Sequence, residues 1–319
     1  MRHNGFQSTA FPKHFHGKRF FNPNAPQARG FFGFLRWMLT SRPEPSARFV
    51  SDVRPSKPPF DVGSSELLVT LINHSTVLLQ GSGVNILTDP IWSERASPLA
   101  SIGPRRRREA GVRWDDLPRI DIVLLSHNHY DHLDLATLQR LADRGQSQFI
   151  VPSGVGRLLR SRSIGPVHEM DWGESMSLER TTIHSVPALH FSARGLFDRN
   201  RTLWCGYVIE REEGTVYFAG DTGFGGHFAQ IRKRFGAPRL ALLPIGAYEP
   251  RWFMSPVHMG PDEAVRAHQI LGAQTSIAIH HGTFQLGDEG IDTPKRLLVG
   301  CAPASFLILN NGQSVTLGS

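Results

Sequence analysis

The sequence predicts a mixed α/β chain, with two β-sheets packed face to face and helices over their outer surfaces. Three observations support that class. From about residue 61 the chain becomes a series of short apolar runs bounded by Gly, Pro, Asn and Asp, the punctuation of many strands. Between some of these runs lie segments whose apolar residues recur at helical spacing. With 319 residues, 40% of them hydrophobic, the chain can bury a large core, and strands mixed with helices at that length suit layered sheets.

Taken in order, residues 1–60 read as an arm and residues 61–319 as the body. The arm is rich in Phe, Pro, Asn and Arg and poor in periodic signal. Its segment GFFGFLRWMLTSR gathers Phe31, Phe32, Phe34, Leu35 and Trp37 around Arg36. This is either an arm helix docked on the body or an apolar-plus-basic segment that enters a membrane interface. The body opens with the strands ELLVTLI, TVLLQ and VNILTD, the last two joined by a GSG hairpin turn. The buried run IDIVLLS follows, and then DLATLQRLADRG, a helix with Leu135, Leu138 and Leu141 on one face and Gly145 as its stop. QFIVP, TTIHSVPAL, LWCGYVIE, TVYFAG, RLALLPI, TSIAIH and ASFLIL complete the strands. GGHFAQIRKRF and PDEAVRAHQIL read as helices, the second opened by a proline at the favoured first-turn position.

Thirty-five Lys+Arg against 28 Asp+Glu give a formal charge of +7, which favours anionic partners: phospholipid headgroups, nucleic acid or phosphorylated metabolites. Cys205 and Cys301 are too few for a disulfide framework and read as small core residues of a reduced, cytoplasmic protein. The N-terminal residues lack the apolar stretch of a secretory leader, and no run reaches the ~20 apolar residues that a bilayer span needs. A peripheral position on a membrane stays open.

The chemistry is written at the strand ends. IDIVLLS runs out at His127, His129, Asp131 and His132; TIHSVPAL ends at His190, TVYFAG at Asp221, and TSIAI at His280 and His281. Polar groups crowded onto buried strand ends cost free energy unless something pairs with them, and a metal would. Four such coincidences point to strand ends converging on one pocket. His127 and His129 are two apart, so in an extended chain they face one side and can hold one ion. Asp131 and His132 are adjacent and diverge, which suits a second ion. His190, Asp221 and one of His280 and His281 are the natural further donors. Imidazole and carboxylate without cysteine suit zinc, and would also accept iron or manganese.

At these residues the sequence resembles the metallo-β-lactamase-fold hydrolases, whose signature is His-x-His-x-Asp-His. Within them it is similar to the N-acylphosphatidylethanolamine-hydrolysing phospholipase D enzymes and their bacterial relatives. NILTDPIWSERASP, GPRRRR, LLSHNHYDHLD, FAGDTG, PIGAYEPRWFM, HMGPDEAVRAH and AIHHGTF carry the resemblance, and KRFFNP with FLRWML extend it into the arm. The resemblance implies an αββα sandwich with the site at the edge of the packed sheets. It assigns His127, His129 and His190 to one zinc, Asp131, His132 and His280 to the other, and Asp221 to both. His281 stands where the family's phrase usually has Trp, and His74 falls where the family has a histidine close to the site, so both read as support around the metals.

The function implied is a dinuclear zinc phosphodiesterase that cleaves N-acylphosphatidylethanolamine-type phospholipids by a metal-activated hydroxide. Asp131 would orient the nucleophile as well as bind metal, and the leaving alkoxide would take its proton from water or from His258. The substrate would be met at a membrane surface, and a homodimer is compatible with this reading. No nucleic-acid partner is expected, because no interleaved aromatic and basic module is visible. The same site could instead serve a soluble phosphodiester, a nucleic acid end or a lactone, and a non-catalytic lipid- or metal-binding scaffold is the rival of another class. His168, His184 and His268 read as structural, and Arg105 to Arg108 as a solvated charged run or a headgroup contact. Ser126 and Ser255 lack a nucleophile elbow.

Overall fold

Apolar residues that alternate along the strands decide the layering. A computed structural model describes residues 13–23, 25–63, 66–99, 101–195 and 197–318. The first twelve residues of the arm lie outside them. In the first large sheet, β3 (Leu67–Asn73), β4 (Thr76–Gly81) and β5 (Val84–Thr88) form an antiparallel meander, and β6 (Ile122–Leu124), β7 (Gln148–Pro152) and β8 (Val167–Met170) continue it in parallel. The last strand, β16 (Ser314–Leu317), returns to pair with β3. The second sheet has the mirrored plan. Strands β9 (Ser175–Leu178), β10 (Thr181–Val186), β11 (Gly206–Glu210) and β12 (Val216–Phe218) are antiparallel neighbours, followed in parallel by β13 (Leu240–Pro244), β14 (Thr275–Ile279) and β15 (Phe306–Leu307).

One face of each sheet meets the other. Ile122, Leu124 and Ile150 join Tyr207, Phe218, Leu242 and Ile277 in the central core, while the intervening Val123, Phe149 and Val151 face outward. Helices α2 (Leu135–Asp143) and α3 (Gly156–Arg160) cover that outer face through Leu138, Leu141 and Leu159. Helices α4 (His227–Phe235), α6 (Pro261–Leu271) and α7 (Thr293–Cys301) cover the second sheet through Phe228, Ile231, Ala264, Leu271 and Leu298. A short helix, α5 (Arg251–Met254), follows β13. The layers are therefore helix, sheet, sheet, helix, the expected αββα sandwich.

Local chemistry sets the boundaries. The β4–β5 hairpin turns through Ser82 and Gly83, at φ 47° and 74°, the left-handed pair that a two-residue turn demands. Asp134 caps α2 by accepting from the Ala136 N–H, and Gly145, φ 71°, lies two residues past the helix end. Pro261 opens α6, the Glu263 carboxylate accepts from the Gly260 N–H, and Gly272 closes the helix in the left-handed region.

The described residues of the arm pack on the body. It begins with a small hairpin, β1 (Phe15–His16) with β2 (Arg19–Phe20), and continues into α1 (Phe31–Thr40), none of whose residues is buried. Trp37 stacks on Phe253 at 5.2 Å and donates through Nε1 to Asp288 (3.0 Å), which also accepts from Ser41 Oγ (2.6 Å). Farther on, Glu44 accepts from the Gly290 N–H and Thr293 Oγ1.

Two sequence expectations need correction. Cys205 is buried as expected, but Cys301 is exposed, at the last position of α7, where no further turn of helix covers it. The arginine run is not simply solvated. Arg106 is buried and donates to the carbonyls of Ile91, Ser93 and Arg108, and Arg108 bridges Asp52, Asp292 and the Gly282 carbonyl. The partners of Arg108 come from segments far apart in sequence. His168, His184 and His268 have the structural settings expected, bonded to Gln148, Glu210 and Ser276.

Candidate metal centre

Strand direction brings the site together. In the first sheet β3, β5 and β6 run the same way, and in the second β10, β12 and β14 do so, so each set ends on one rim. Past those ends come His74, Asp89 and the loop 126–132 from one sheet, and His190, Asp221 and His280 from the other. Several of these turns are strained: His74, Asp89 and His280 have φ of 45°, 33° and 58°, a region that costs non-glycine residues about 1–2 kcal/mol. Gly220, φ 60°, lies so close to Ser126 that a Cβ would sit 2.5 Å from the serine's own. Only glycine lets β12 deliver Asp221 at that point.

The ligand-type atoms form two groups around one oxygen. His127 Nε2 and His190 Nε2 lie 2.9 and 3.1 Å from His129 Nδ1. Asp131 Oδ2 lies 3.2 Å from His132 Nε2 and 3.3 Å from His280 Nε2. Asp221 Oδ2 stands between them, 3.2 and 3.0 Å from His132 and His280 and 3.9 Å from both His127 and His190. Two donors held at ~2.0–2.1 Å from one tetrahedral ion are roughly 3.3 Å apart, so this spacing is that of shared coordination.

The far side of three of the imidazoles is fixed. His132 Nδ1 donates to Asp89 Oδ2 at 2.6 Å, and His190 Nδ1 donates to the Val257 carbonyl at 3.0 Å. His127 Nδ1 donates to Ser126 Oγ (2.9 Å), which in turn donates to Asp89 (2.5 Å). With Nδ1 protonated in each, the Nε2 lone pair is left pointing into the cluster, the tautomer a cation requires.

Electrostatics favour the same occupant. Burial would raise the Asp221 and Asp131 carboxyls, but the facing His132, and His280 with it, reverse this and hold both well below the usual carboxylate range. His132 and His280 are pulled down by burial and then lifted more strongly by Asp221 and Asp131, His132 well above its ordinary value and His280 to about 9. The other set goes the opposite way. Burial lowers His129 to about 4 and His190 to about 3, and takes His127 well below its usual value, so these rings stay neutral. Two buried carboxylates with no Lys or Arg in ion-pair contact among the described residues, an Asp221 Oδ1 and a His132 Nε2 without hydrogen-bond partners, and three neutral imidazoles fit divalent cations.

Every metal candidate named from the sequence, His127, His129, Asp131, His132, His190, Asp221 and His280, is in this cluster. His74 Nε2 lies 3.0 Å from Asp131 Oδ2, behind the carboxylate. His258 Nδ1 is 3.9 Å from Asp221 Oδ2 and lacks a hydrogen-bond partner, and burial lowers it to about 3. His281 is not brought in. It faces a separate polar recess lined by Asp52, Arg108 and Asp292. Sequence reasoning missed Asp89 and Asn22. Asp89 follows the apolar strand VNILT just as the ligands follow theirs, so the same signal was available. Asn22 stands in the arm phrase KRFFNP, which carries the resemblance but gives the residue no role; it is buried and donates to the His190 carbonyl (2.9 Å).

The cluster lies at the foot of a cleft enclosing about 540 Å³. Its walls are largely apolar and come from the arm and the β13–α5 segment, with Phe31, Phe34, Trp37, Phe191, Phe253 and Met254 leading down to His129, Asp131 and His258.

Two mixed sheets between helices, with a histidine–aspartate cluster on their shared rim, define the metallo-β-lactamase fold. The chain belongs to that family, since residues 84–281 match the beta-lactamase superfamily domain. Over 234 residues it is 42% identical to the N-acyl-phosphatidylethanolamine-hydrolyzing phospholipase D 1 of Caenorhabditis elegans, covering 70% of this chain and 66% of that protein, just under two thirds. It is also similar to a UPF0173 metal-dependent hydrolase of Methanopyrus kandleri, 32% identical over 219 residues, 68% of this chain and 84% of that one. A solved metallo hydrolase of Ignicoccus hospitalis shares the fold, with a TM-score of 0.58 at 23% identity, covering 80% of this chain and 99% of that one.

Proposed function

We propose that the protein is a metal-dependent phosphodiesterase that holds two zinc ions and cleaves N-acylphosphatidylethanolamine-type phospholipids to phosphatidic acid and an N-acylethanolamine. One observation carries the reading: a double histidine–aspartate cluster at the foot of an apolar cleft. The 42% identity to a phospholipase D named for that substrate supports the choice of lipid. In this assignment His127, His129 and His190 would hold one ion, Asp131, His132 and His280 the other, and Asp221 would serve both. When bound, such ions lower the pKa of water toward ~7 and stabilise charge that develops on phosphoryl oxygens.

The chain's own groups do the rest. Asp131, anchored from behind by His74, accepts a hydrogen bond from the attacking water and turns its oxygen toward phosphorus. A water oxygen–phosphorus bond forms as the phosphorus–ethanolamine oxygen bond breaks, and the leaving alkoxide takes a proton from water or from His258. The apolar walls hold acyl chains and exclude bulk water from the reacting centre.

A peripheral position on the membrane follows from the same face. No helix among the described residues is long and apolar enough to cross a bilayer. Yet Phe31, Phe32 and Leu39 of α1 are 70%, 84% and 78% exposed, with Arg29 and Arg36 beside them, which suits insertion to the headgroup level. The cleft walls support a lipid over a soluble diester, a lactone or a nucleic acid end.

The test supplies N-acylphosphatidylethanolamine in mixed micelles and measures released N-acylethanolamine. Activity should vanish on chelation, return with zinc, and be lost in Asp221→Asn and His280→Ala but kept in His281→Ala. Full turnover by metal-stripped protein would refute the mechanism, and turnover confined to soluble diesters would refute the substrate.

A further inference from the structure

Arg199 lines the cleft two rings away from the cluster. Its guanidinium lies 4.6 Å from the Phe191 ring, and that ring lies 4.6 Å from His129. Nη2 is committed to the carbonyls of Ala28 (3.2 Å) and Arg29 (2.8 Å), which leaves Nε and Nη1 without a partner among the described residues. Arg108, Arg211 and Arg251 pair with acids, Asp52 and Asp292, Glu213 and Glu263, whereas Arg106, Arg144 and Arg194 spread their N–H groups over two or three backbone carbonyls each. Arg199 has no carboxylate within ion-pair distance among the described residues. The charge that acts on it is another cation, Arg19, which also donates to the Arg199 carbonyl. Burial, and then Arg19, push the Arg199 guanidinium below its ordinary value. Arg29 lines the same cleft and also has no acid within reach among the described residues, its Nε donating to the Trp252 carbonyl at 3.3 Å.

Arg199 is half-buried without an acid to pair with, exposed Arg19 adds positive charge beside it, and exposed Arg29 lines the same cleft, so an anion entering there meets a cation that nothing else compensates. The arm fixes Arg199 through two carbonyls, so its free N–H groups are oriented before a ligand binds. We infer that Arg199, with Arg29 beside it, recognises a phosphoryl oxyanion of the substrate or product from outside the cation-binding cluster, and so selects anionic over neutral ligands. The inference rests on the hydrolase reading for the name of the ligand, but binding can be measured without turnover.

The experiment titrates zinc-replete protein with dihexanoyl phosphatidic acid, inorganic phosphate and uncharged dihexanoylglycerol, following tryptophan fluorescence from Trp37 and Trp252 at the cleft. Arg199→Gln should raise the Kd for the phosphatidate about tenfold, the size of one hydrogen bond to a charged group, and leave that for dihexanoylglycerol unchanged. Arg199→Lys should recover part of the loss, and Arg29→Gln should show a smaller loss of the same kind. Weakening of inorganic phosphate to the same degree supports oxyanion recognition independent of the acyl chains; weakening of the phosphatidate alone supports a lipid headgroup. Equal weakening of the charged and uncharged lipids would overturn the inference, since Arg199 would then merely hold the arm in place. No change for either ligand would overturn it as well. A protein that binds as expected yet hydrolyses nothing would sink the proposed function and leave this recognition standing.

Discussion

Asp89 lies outside the His-x-His-x-Asp-His signature, yet the tautomers of two cluster histidines depend on it. It accepts directly from His132 and, through Ser126, orders His127. Replacement by Asn keeps the shape but turns an acceptor into a mixed donor, so the His132 lone pair is no longer forced toward the cluster. Asp89→Asn should therefore weaken zinc binding about 10–100-fold, measured by chelator competition, with the unfolding midpoint of the metal-free protein changed little. Unchanged affinity would show that His132 needs no help from behind. His227 offers a separate residue-scale test, on stability. It is buried on the helix side of Asp221, bonded to Thr222, and burial lowers it to about 3 from an ordinary 6.5. Between those values the unfolded chain binds a proton that the folded one does not, so stability falls as pH drops through 6.5 and levels off near 3. Urea unfolding in chelator should show His227→Gln with a shallower pH slope than the wild type, by up to ~1.4 kcal/mol per pH unit. Parallel slopes would mean that His227 is already protonated in the fold.

At the scale of elements, the arm is the part with the least sequence signal and an unexpectedly large share of the site. Asp288 fixes the C-terminal end of α1 through Trp37 and Ser41, and the adjacent Glu289 carboxylate holds the loop after β13 by accepting from the Ala247 and Glu249 N–H groups. One turn of chain thus anchors both walls of the cleft. Asp288→Ala should raise KM for micellar lipid severalfold, speed proteolysis within residues 29–42, and leave kcat for a small soluble diester unchanged; a fall in kcat for both substrates would mean that the anchor acts on the cluster itself. What the sequence made legible follows the same physics. Strands with continuous apolar runs, such as LALLP and TSIAI, and helices with a clear stripe, such as α2 and α6, were readable because burial on both sides or one face shows in composition. The edge strands β9 and β16 were not: SMSL and SVTL carry the mixed pattern of half-exposed edges. The ASFLIL run is ladder-paired only at Phe306 and Leu307, and LWCGYVIE only from Gly206. The seven clustered side chains were legible because each directly follows an apolar strand. Asn22, Arg106 and Arg108 stand in the phrases KRFFNP and GPRRRR, but their roles were not legible, since the carbonyls and carboxylates they reach are brought to them only by the fold.

Across the whole molecule, the cluster joins the two sheets at their rim, where hydrogen bonds such as Tyr207 Oη to the Leu125 carbonyl and His280 N–H to the His74 carbonyl already supplement the apolar contact between them. Asp131, His132 and His127 belong to one sheet and His190, Asp221 and His280 to the other, so an ion held by this set ties the sandwich together at its rim. Without one, the rim carries two buried carboxylates compensated mainly by protons on His132 and His280, with His74 bonded to Asp131. That compensation weakens as pH rises through the His280 value of about 9, because the raised histidine contributes stability below its folded pKa and loses it above. Cations do not share that limit, so the gap between loaded and stripped protein should widen toward alkaline pH. Binding to the folded state alone adds RT ln(1 + [L]/Kd), about 4 kcal/mol at a thousandfold excess over Kd, or roughly 8–16 °C in melting temperature for a domain of this size. Scanning calorimetry of zinc-loaded and chelated protein at pH 7 and pH 9.5 should show a shift of that order, larger at the higher pH. An equal melting temperature in both forms would mean that the cluster does not bridge the sheets through an ion, and the site would then have to be read as a self-compensated network of buried histidines and carboxylates.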